Sequence, residues 1–141
     1  MALRSLRSIV AGQPPATAEK SATVLEAALL MKEKGKGALL VVDGTRLIGI
    51  FTERDALLRV IAARLDPATT RLAEVMTPHP QTMSPDEPFL KALRMMQSRG
   101  FRHVPVVEHG RPLGVVSARD ALDDDLYELR VDMAQRGDER D

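Results

Sequence analysis

Apolar positions along the chain fall into two periodicities, and the two alternate in the same order twice. Val24, Ala28 and Met31 follow i, i+4, i+7 spacing, as do Phe89, Leu93 and Met96, which predicts one apolar helical stripe in each segment. "TVLE" (23–26) and "SPDE" (84–87) read as capping boxes at the helix starts, the second with Pro85 at the first helical position. Gly35 and Gly100 stand where each helix would stop. The pattern then changes to near-continuous apolar runs, "ALLVV" (38–42) and "VPVV" (104–107). Short turns, "DGTR" and "EHGR", lead to second runs, "LIGIF" and "LGVV", so each half predicts a β-hairpin. "TERDALLRVIAARL" (52–65) and "SARDALDDDLYEL" (117–129) read as closing helices, and extended pieces near "PATA" (15–18) and "PQTM" (80–83) precede the opening ones. Each unit is therefore β-α-β-β-α, and the fold class is α/β in the α+β sense.

The two units share one register. Gly114 lies 65 residues after Gly49, and the same offset carries Leu25, Ala27, Met31 and Gly35 onto Leu90, Ala92, Met96 and Gly100. It also carries Val41 and Val42 onto Val106 and Val107, and Arg54-Asp55-Ala56-Leu57 onto Arg119-Asp120-Ala121-Leu122. A gapless match of that length is a tandem repeat. Either unit alone is small for an independent core, so the two are expected to pack on each other. The boundaries expected are a first domain at 8–65, a linker at 66–74, a second domain at 75–127 and a charged tail at 128–141. Prolines mark the linker region, where Thr70 is placed to cap a short helical turn. Ser5 stands at the same offset before it, which predicts that the lead-in is repeated too.

Composition narrows the function classes. The 141 residues carry 20 basic and 20 acidic side chains, with formal net charge zero, so nothing electrostatic favours nucleic acid or a membrane surface. Aromatic residues make up 3% of the chain, which leaves little for base stacking. There is no cysteine. No apolar run approaches the length needed to cross a bilayer, and the expected location is cytoplasmic. His79, His103 and His109 lack the spacing of metal ligands, so no metal site is expected. "DDD" (123–125) reads as acids at a helix start, and "GKG" (35–37) as a helix stop. No nucleophile–base pair is apparent, and the chain is expected not to be an enzyme.

The chemistry-bearing stretch is "GIFTERD" (49–55) with its echo "GVVSARD" (114–120). A hydroxyl three positions before an aspartate puts both side chains at one helix start. The hydroxyl can donate to a phosphate or ribose oxygen, and the carboxylate can accept from both hydroxyls of a ribose diol. The same spacing is also a capping box, with the acid reaching back to the N–H of the capping residue, so the residues alone leave both roles open.

These ordered motifs resemble tandem CBS domains, the pair called a Bateman module. The resemblance rests on "TVLEAALLMKEKGKGALLVVDGTRLIGIFTERD" and "VMTPHPQTMSPDEPFLKALRMMQSRGFRHVPVVEHGRPLGVVSARD" and covers roughly residues 8–127. It implies two units packed sheet to sheet with pseudo-twofold symmetry and two clefts between them. Adenosine-containing ligands such as AMP, ADP, ATP, NAD or S-adenosylmethionine would bind there as regulatory ligands rather than required cofactors. The family's motif carries onto Thr52 and Asp55 and onto Ser117 and Asp120. Arg102 and His103, ahead of a buried strand, are expected to meet phosphate beside the second motif, with Arg119 as its neighbour. Lys36 is the lone basic residue offered by the first copy's corresponding loop. Thr17 and Thr82 lie on the extended pieces that flank the base in the family. The resemblance implies a ligand-sensing homodimer that regulates an effector protein, and the charge balance adds the expectation of no nucleic acid or membrane partner. A ligand-free dimerisation module is the second reading, and a nucleotide-processing enzyme the third.

Overall fold

The computed structural model describes residues 4–137. The first unit begins after a short lead-in helix, α1 (Leu6–Val10), with β1 (Thr17–Glu19) and α2 (Val24–Lys34). β2 (Ala38–Asp43) and β3 (Arg46–Thr52) follow, then α3 (Glu53–Asp55), which runs directly into a π-helix over Ala56–Ile61. A second lead-in, α4 (Leu72–Val75) and β4 (Thr77–Pro78), introduces the second unit. That unit holds α5 (Phe89–Arg99), β5 (His103–Glu108), β6 (Arg111–Ser117), a 3₁₀ turn over Ala118–Asp120 and α6 (Asp123–Arg136). The mixed α/β class expected from the sequence is the class observed.

The two hairpins repeat in detail. β2 pairs antiparallel with β3 and slips register at Val41/Val42; β5 pairs with β6 and slips at Val106/Val107. In the first sheet β1 runs parallel to β2, with Ala18 opposite Val41. Its counterpart in the second is reduced to one parallel bridge, Met83 opposite Val106. Strand faces explain why the apolar runs are continuous rather than alternating. Leu39, Val41 and Phe51 face the helices of the first unit, while Ala38, Leu40 and Ile50 form a separate cluster against Val115 of the second. A backbone bond crosses the same seam, from the N–H of Leu47 to the carbonyl of Gly110 at 3.1 Å.

The lead-in helices are exchanged. Leu6, Ile9 and Val10 of α1 belong to the core of the second unit, with Phe89, Leu93 and Val116. Leu72 and Val75 of α4 belong to the core of the first, with Val24, Val41 and Phe51. The backbone is tied the same way: Leu6 N–H donates to the carbonyl of Glu87 at 3.0 Å, and Leu72 N–H to that of Ala22 at 2.9 Å. Gly49 and Gly114 permit this crossing. A Cβ on Gly114 would lie 2.6 Å from Cβ of Val10, and one on Gly49 would collide with Sδ of Met76.

Several expected boundaries shift for identifiable reasons. The Thr23 capping box forms as read, with Glu26 N–H donating to Thr23 Oγ1 at 3.1 Å and Thr23 N–H to Glu26 Oε1 at 3.0 Å. "SPDE" instead closes a turn, Ser84 N–H donating to Glu87 Oε2 at 2.8 Å, and the helix waits until Phe89. Pro88 disfavours helical backbone at Glu87. The buried stripe of α2 is Val24, Ala27 and Met31, with Ala28 exposed. Ser5 caps α1 through Ser8 N–H at 3.2 Å. Thr70 does not cap α4; its hydroxyl donates to the carbonyl of Asp66 at 2.7 Å, and the helix starts one residue later. Leu122 breaks the expected closing helix, because Asp120 folds back on Ser117 and Asp125 then caps α6 through Leu122 N–H at 2.8 Å. Where a frayed end was expected, residues 128–136 continue α6 along α5; the expectation for residues 138–141 lies outside the described residues. No helix among the described residues is long and apolar enough to cross a membrane.

Candidate functional site

Both hydroxyl–aspartate motifs sit at the end of a hairpin strand, where the chain turns from extended into helical backbone. At the first, Asp55 is buried and fully engaged. Its Oδ2 accepts from Thr52 N–H at 3.0 Å and from Thr52 Oγ1 at 3.2 Å, while its own N–H donates to Thr52 Oγ1 at 3.2 Å. Its Oδ1 faces Thr77 Oγ1 at 3.5 Å and Arg59 Nε at 3.5 Å. The π-helix that follows carries Arg59, whose Nη1 also donates to the carbonyl of Met76 at 3.1 Å. This motif makes the reciprocal capping box, and the structure adds two further partners.

The second motif is more open. Ser117 N–H donates to Asp120 Oδ2 at 2.7 Å. Among the described residues, Ser117 Oγ and Asp120 Oδ1 have no hydrogen-bond partner, and both residues are half-buried. The hydroxyl and one carboxylate oxygen thus stand unengaged at one strand end, a donor and an acceptor free for a ligand.

Each motif opens on a cleft whose opposite wall comes from the other unit. Thr52 and Asp55 face a cleft of about 600 Å³ walled by Arg99, Phe101, Arg102 and His103. Ser117, Arg119 and Asp120 face one of about 180 Å³ walled by Lys36, Gly37 and Ala38. The basic residues have therefore changed partners relative to their order in the sequence. Arg102, expected beside Ser117 and Asp120, lines the cleft of Thr52 and Asp55. Lys36, expected in the first copy's site, lines the cleft of Ser117 and Asp120. The sheet-to-sheet packing does this, because each helix-to-strand loop leans across the seam onto the partner hairpin.

His103 and Gly37 line both clefts. Burial pushes the imidazole of His103 below its ordinary pKa; Arg102 and Arg119 push the same way, against Glu53 and Asp120. The two loops differ in what they offer. "RGFRH" (99–103) presents two arginines and a histidine where "KGKGA" (34–38) presents Lys34 and Lys36 among small residues. Thr17 and Thr82 are exposed and line neither cleft. Lining residues that the sequence reading did not single out are Arg59, Arg99 and Glu53, with Thr77 arriving from the second lead-in. Arg99 and Arg59 each carry a signal in hindsight, being one loop or one helical turn from a motif. Thr77 carries none, since β4 brings it from 22 residues away.

A third groove, of about 420 Å³, lies between α5 and α6 and touches neither motif. Among the described residues no group of three histidine, aspartate or glutamate side chains could hold a metal ion.

The chain resembles proteins of one kind. The CBS domain family model matches residues 6–62 and 72–126. CBS domain-containing protein CBSCBSPB2 of Arabidopsis thaliana is 35% identical over 114 residues, 80% of this chain and 21% of that protein. The chain spans between 16% and 21% of the length of the Arabidopsis relatives it matches. Among solved structures, CBS domain protein PAE2072 from Pyrobaculum aerophilum complexed with AMP superposes with a TM-score of 0.82 at 27% identity, covering 91% of this chain and 99% of that one. The CBS domain pair of protein MJ0100, in complex with 5′-methylthioadenosine and S-adenosyl-L-methionine, gives 0.74 at 28% identity, covering 83% and 95%.

Proposed function

The chain belongs to the CBS domain family, as a tandem pair, and we propose that it is a regulatory module that senses adenosine-containing ligands in its two clefts. The carrying observation is the repeated hydroxyl–aspartate fork, placed twice at a cleft mouth with a cation from the other unit opposite. A carboxylate and a hydroxyl at one strand end suit a ribose diol, and a guanidinium or ammonium across the gap suits the phosphate. The AMP complex of the Pyrobaculum protein and the adenosine complexes of the MJ0100 pair support the same ligand class.

The site residues assigned are Thr52, Asp55 and Arg102 in the first cleft, Ser117, Asp120, Arg119 and Lys36 in the second, and His103 between them. Thr17 and Thr82 stand outside both. Because each cleft is walled by both units, a ligand that fills one bears on the angle between them. Only a ligand with unequal affinity for two such arrangements transmits a signal to an effector protein. Leu57, Leu58 and Ile61 on the π-helix, and Leu126 and Tyr127 on α6, are exposed apolar side chains. They favour a homodimer formed through the helical faces.

A thermal-shift panel of AMP, ADP, ATP, NAD and S-adenosylmethionine tests the reading, since a ligand of the folded state raises the melting temperature by mass action. Flat curves at millimolar ligand would sink it. A second reading, a ligand-free dimerisation module, draws on Asp55, whose oxygens are already satisfied within the fold.

A further inference from the structure

We propose that the two clefts are not equivalent: the cleft of Thr52 and Asp55 takes an adenosine di- or triphosphate, and the cleft of Ser117 and Asp120 takes at most a nucleoside with one phosphate. The proposal rests on the nucleotide reading above and assigns each cleft its ligand.

Space separates the clefts first. Small-molecule sites occupy roughly 300–1,000 Å³. The first cleft, at about 600 Å³, lies inside that range, and the second, at about 180 Å³, lies below it. Charge separates them further. Arg54, Arg59, Arg99 and Arg102 line the first cleft against Glu53 and Asp55. Lys36 and Arg119 line the second against Asp120.

The arginines of the first cleft are also available. Arg59 is committed to Asp55 and the Met76 carbonyl. Arg54, Arg99 and Arg102 are exposed and make no ion pair or side-chain hydrogen bond among the described residues. Arg99 ends α5 and Arg102 follows in the loop, so both stand on the wall across from the Thr52–Asp55 fork. A nucleoside seated on the Thr52–Asp55 side of the cleft directs its phosphates toward them. Each phosphate added beyond the first brings more negative charge and more acceptor oxygens, which guanidinium groups bind by paired donors. The second cleft lacks the equivalent wall, because Arg102 is matched in the repeat by Gly37, and Lys34, which matches Arg99, does not line it.

Isothermal titration of the full chain with AMP, ADP and ATP tests this, using wild type, the double variant Arg99→Ala/Arg102→Ala, and Lys36→Ala. Matched melting temperatures without ligand establish that the exposed substitutions leave the fold intact. Wild type is expected to bind ADP or ATP about tenfold or more tightly than AMP. The double arginine variant is expected to lose about tenfold or more for ADP and ATP, and by a larger factor than for AMP. Lys36→Ala is expected to leave ATP within about threefold of wild type. Equal affinity for the three nucleotides overturns the proposal and leaves the nucleotide reading standing. So does a polyphosphate preference that survives loss of both arginines or disappears with Lys36. No binding of any of the three by wild type overturns the reading and the proposal together.

Discussion

Replacing Gly114 with alanine tests the exchanged packing directly. The new Cβ would stand 2.6 Å from Cβ and 2.7 Å from Cγ1 of Val10. Carbon atoms rest at about 3.5–4.0 Å, so α1 must retreat by about 1 Å. Val10 cannot swing aside, because a β-branched side chain in a helix has one strongly preferred rotamer. Nor is α1 free to slide. Leu6 and Ile9 are buried in the second unit's core, and Arg7 N–H donates to the carbonyl of Pro85 at 2.9 Å. Overpacking of this kind costs about 1–3 kcal/mol. Against it stands about 0.4–1 kcal/mol from reduced freedom of the unfolded chain. The net is a loss centred on about 1 kcal/mol and at most about 2.6 kcal/mol, or up to roughly 10 °C in melting temperature for a chain of this size.

The sign decides the matter. A glycine serving only as flexible strand backbone would be stabilised by alanine, and a rise in melting temperature would refute the packing argument. Gly49→Ala is the internal comparison: its closest contacts are side-chain atoms of the unbranched Met76, which can yield, and the Thr77 carbonyl at 3.1 Å has to give only a few tenths of an ångström, so a smaller loss is expected. Val10→Gly combined with Gly114→Ala should cost less than the two changes summed, with a coupling of about 1 kcal/mol. Strict additivity in urea titrations would place the clash elsewhere.

Asp120→Ala should remove most of any nucleotide-induced thermal shift that arises in the second cleft; full retention would dissociate that cleft from the carboxylate. Acidification from pH 7.5 to 5.5 should weaken the fold through His103. Its folded pKa lies below the ordinary value, so the unfolded chain binds the proton first and stability is lost as pH falls. His103→Gln should flatten that slope, whereas the lowered carboxyls of Glu26 and Glu87 act only nearer their own, more acidic range. An unchanged slope in the variant would remove His103 from the account. Leu58→Asp/Ile61→Asp should shift sedimentation toward the 15.5 kDa monomer if the π-helix face is the dimer contact; an unaltered profile would exclude that face.

Most of the fold was legible because the elements are local. The capping box at Thr23, the αL stops at Gly35 and Gly100 and the paired hairpins follow from residues within a few positions of one another. What the sequence hid was set by distant partners. Pro85 and Glu87 look like a helix start, yet their carbonyls are taken by α1 from more than 75 residues earlier. Gly49 and Gly114 look like the first letter of a ligand motif, yet their contacts are Met76 and Val10 of the exchanged lead-ins. The motif residues were identifiable one by one. Their grouping was not, because nothing local to Arg102 shows that it faces Thr52 rather than Ser117.

That crossed grouping also changes what the clefts can do for each other. Had each cleft been built within one unit, two ligands would bind independently unless the units rearranged. Here His103 and Gly37 belong to both walls. His103 is held between acids and bases of both motifs, Glu53 and Arg102 from the first cleft, Arg119 and Asp120 from the second. A phosphate arriving among Arg54, Arg99 and Arg102 adds negative charge beside that imidazole and favours its protonated form. The protonated ring then stands as a cation at the lip of the second cleft, next to Asp120. A ligand bound in the first cleft as proposed would therefore alter the field of the second through His103, without requiring movement of either sheet. With linkage reciprocal, a ligand at Ser117 and Asp120 must alter binding at Thr52 and Asp55 by the same factor. Titrating ATP in the presence and absence of saturating AMP, in wild type and in His103→Gln, measures that factor. Coupling that persists undiminished without the imidazole would assign it to the packing of the sheets instead.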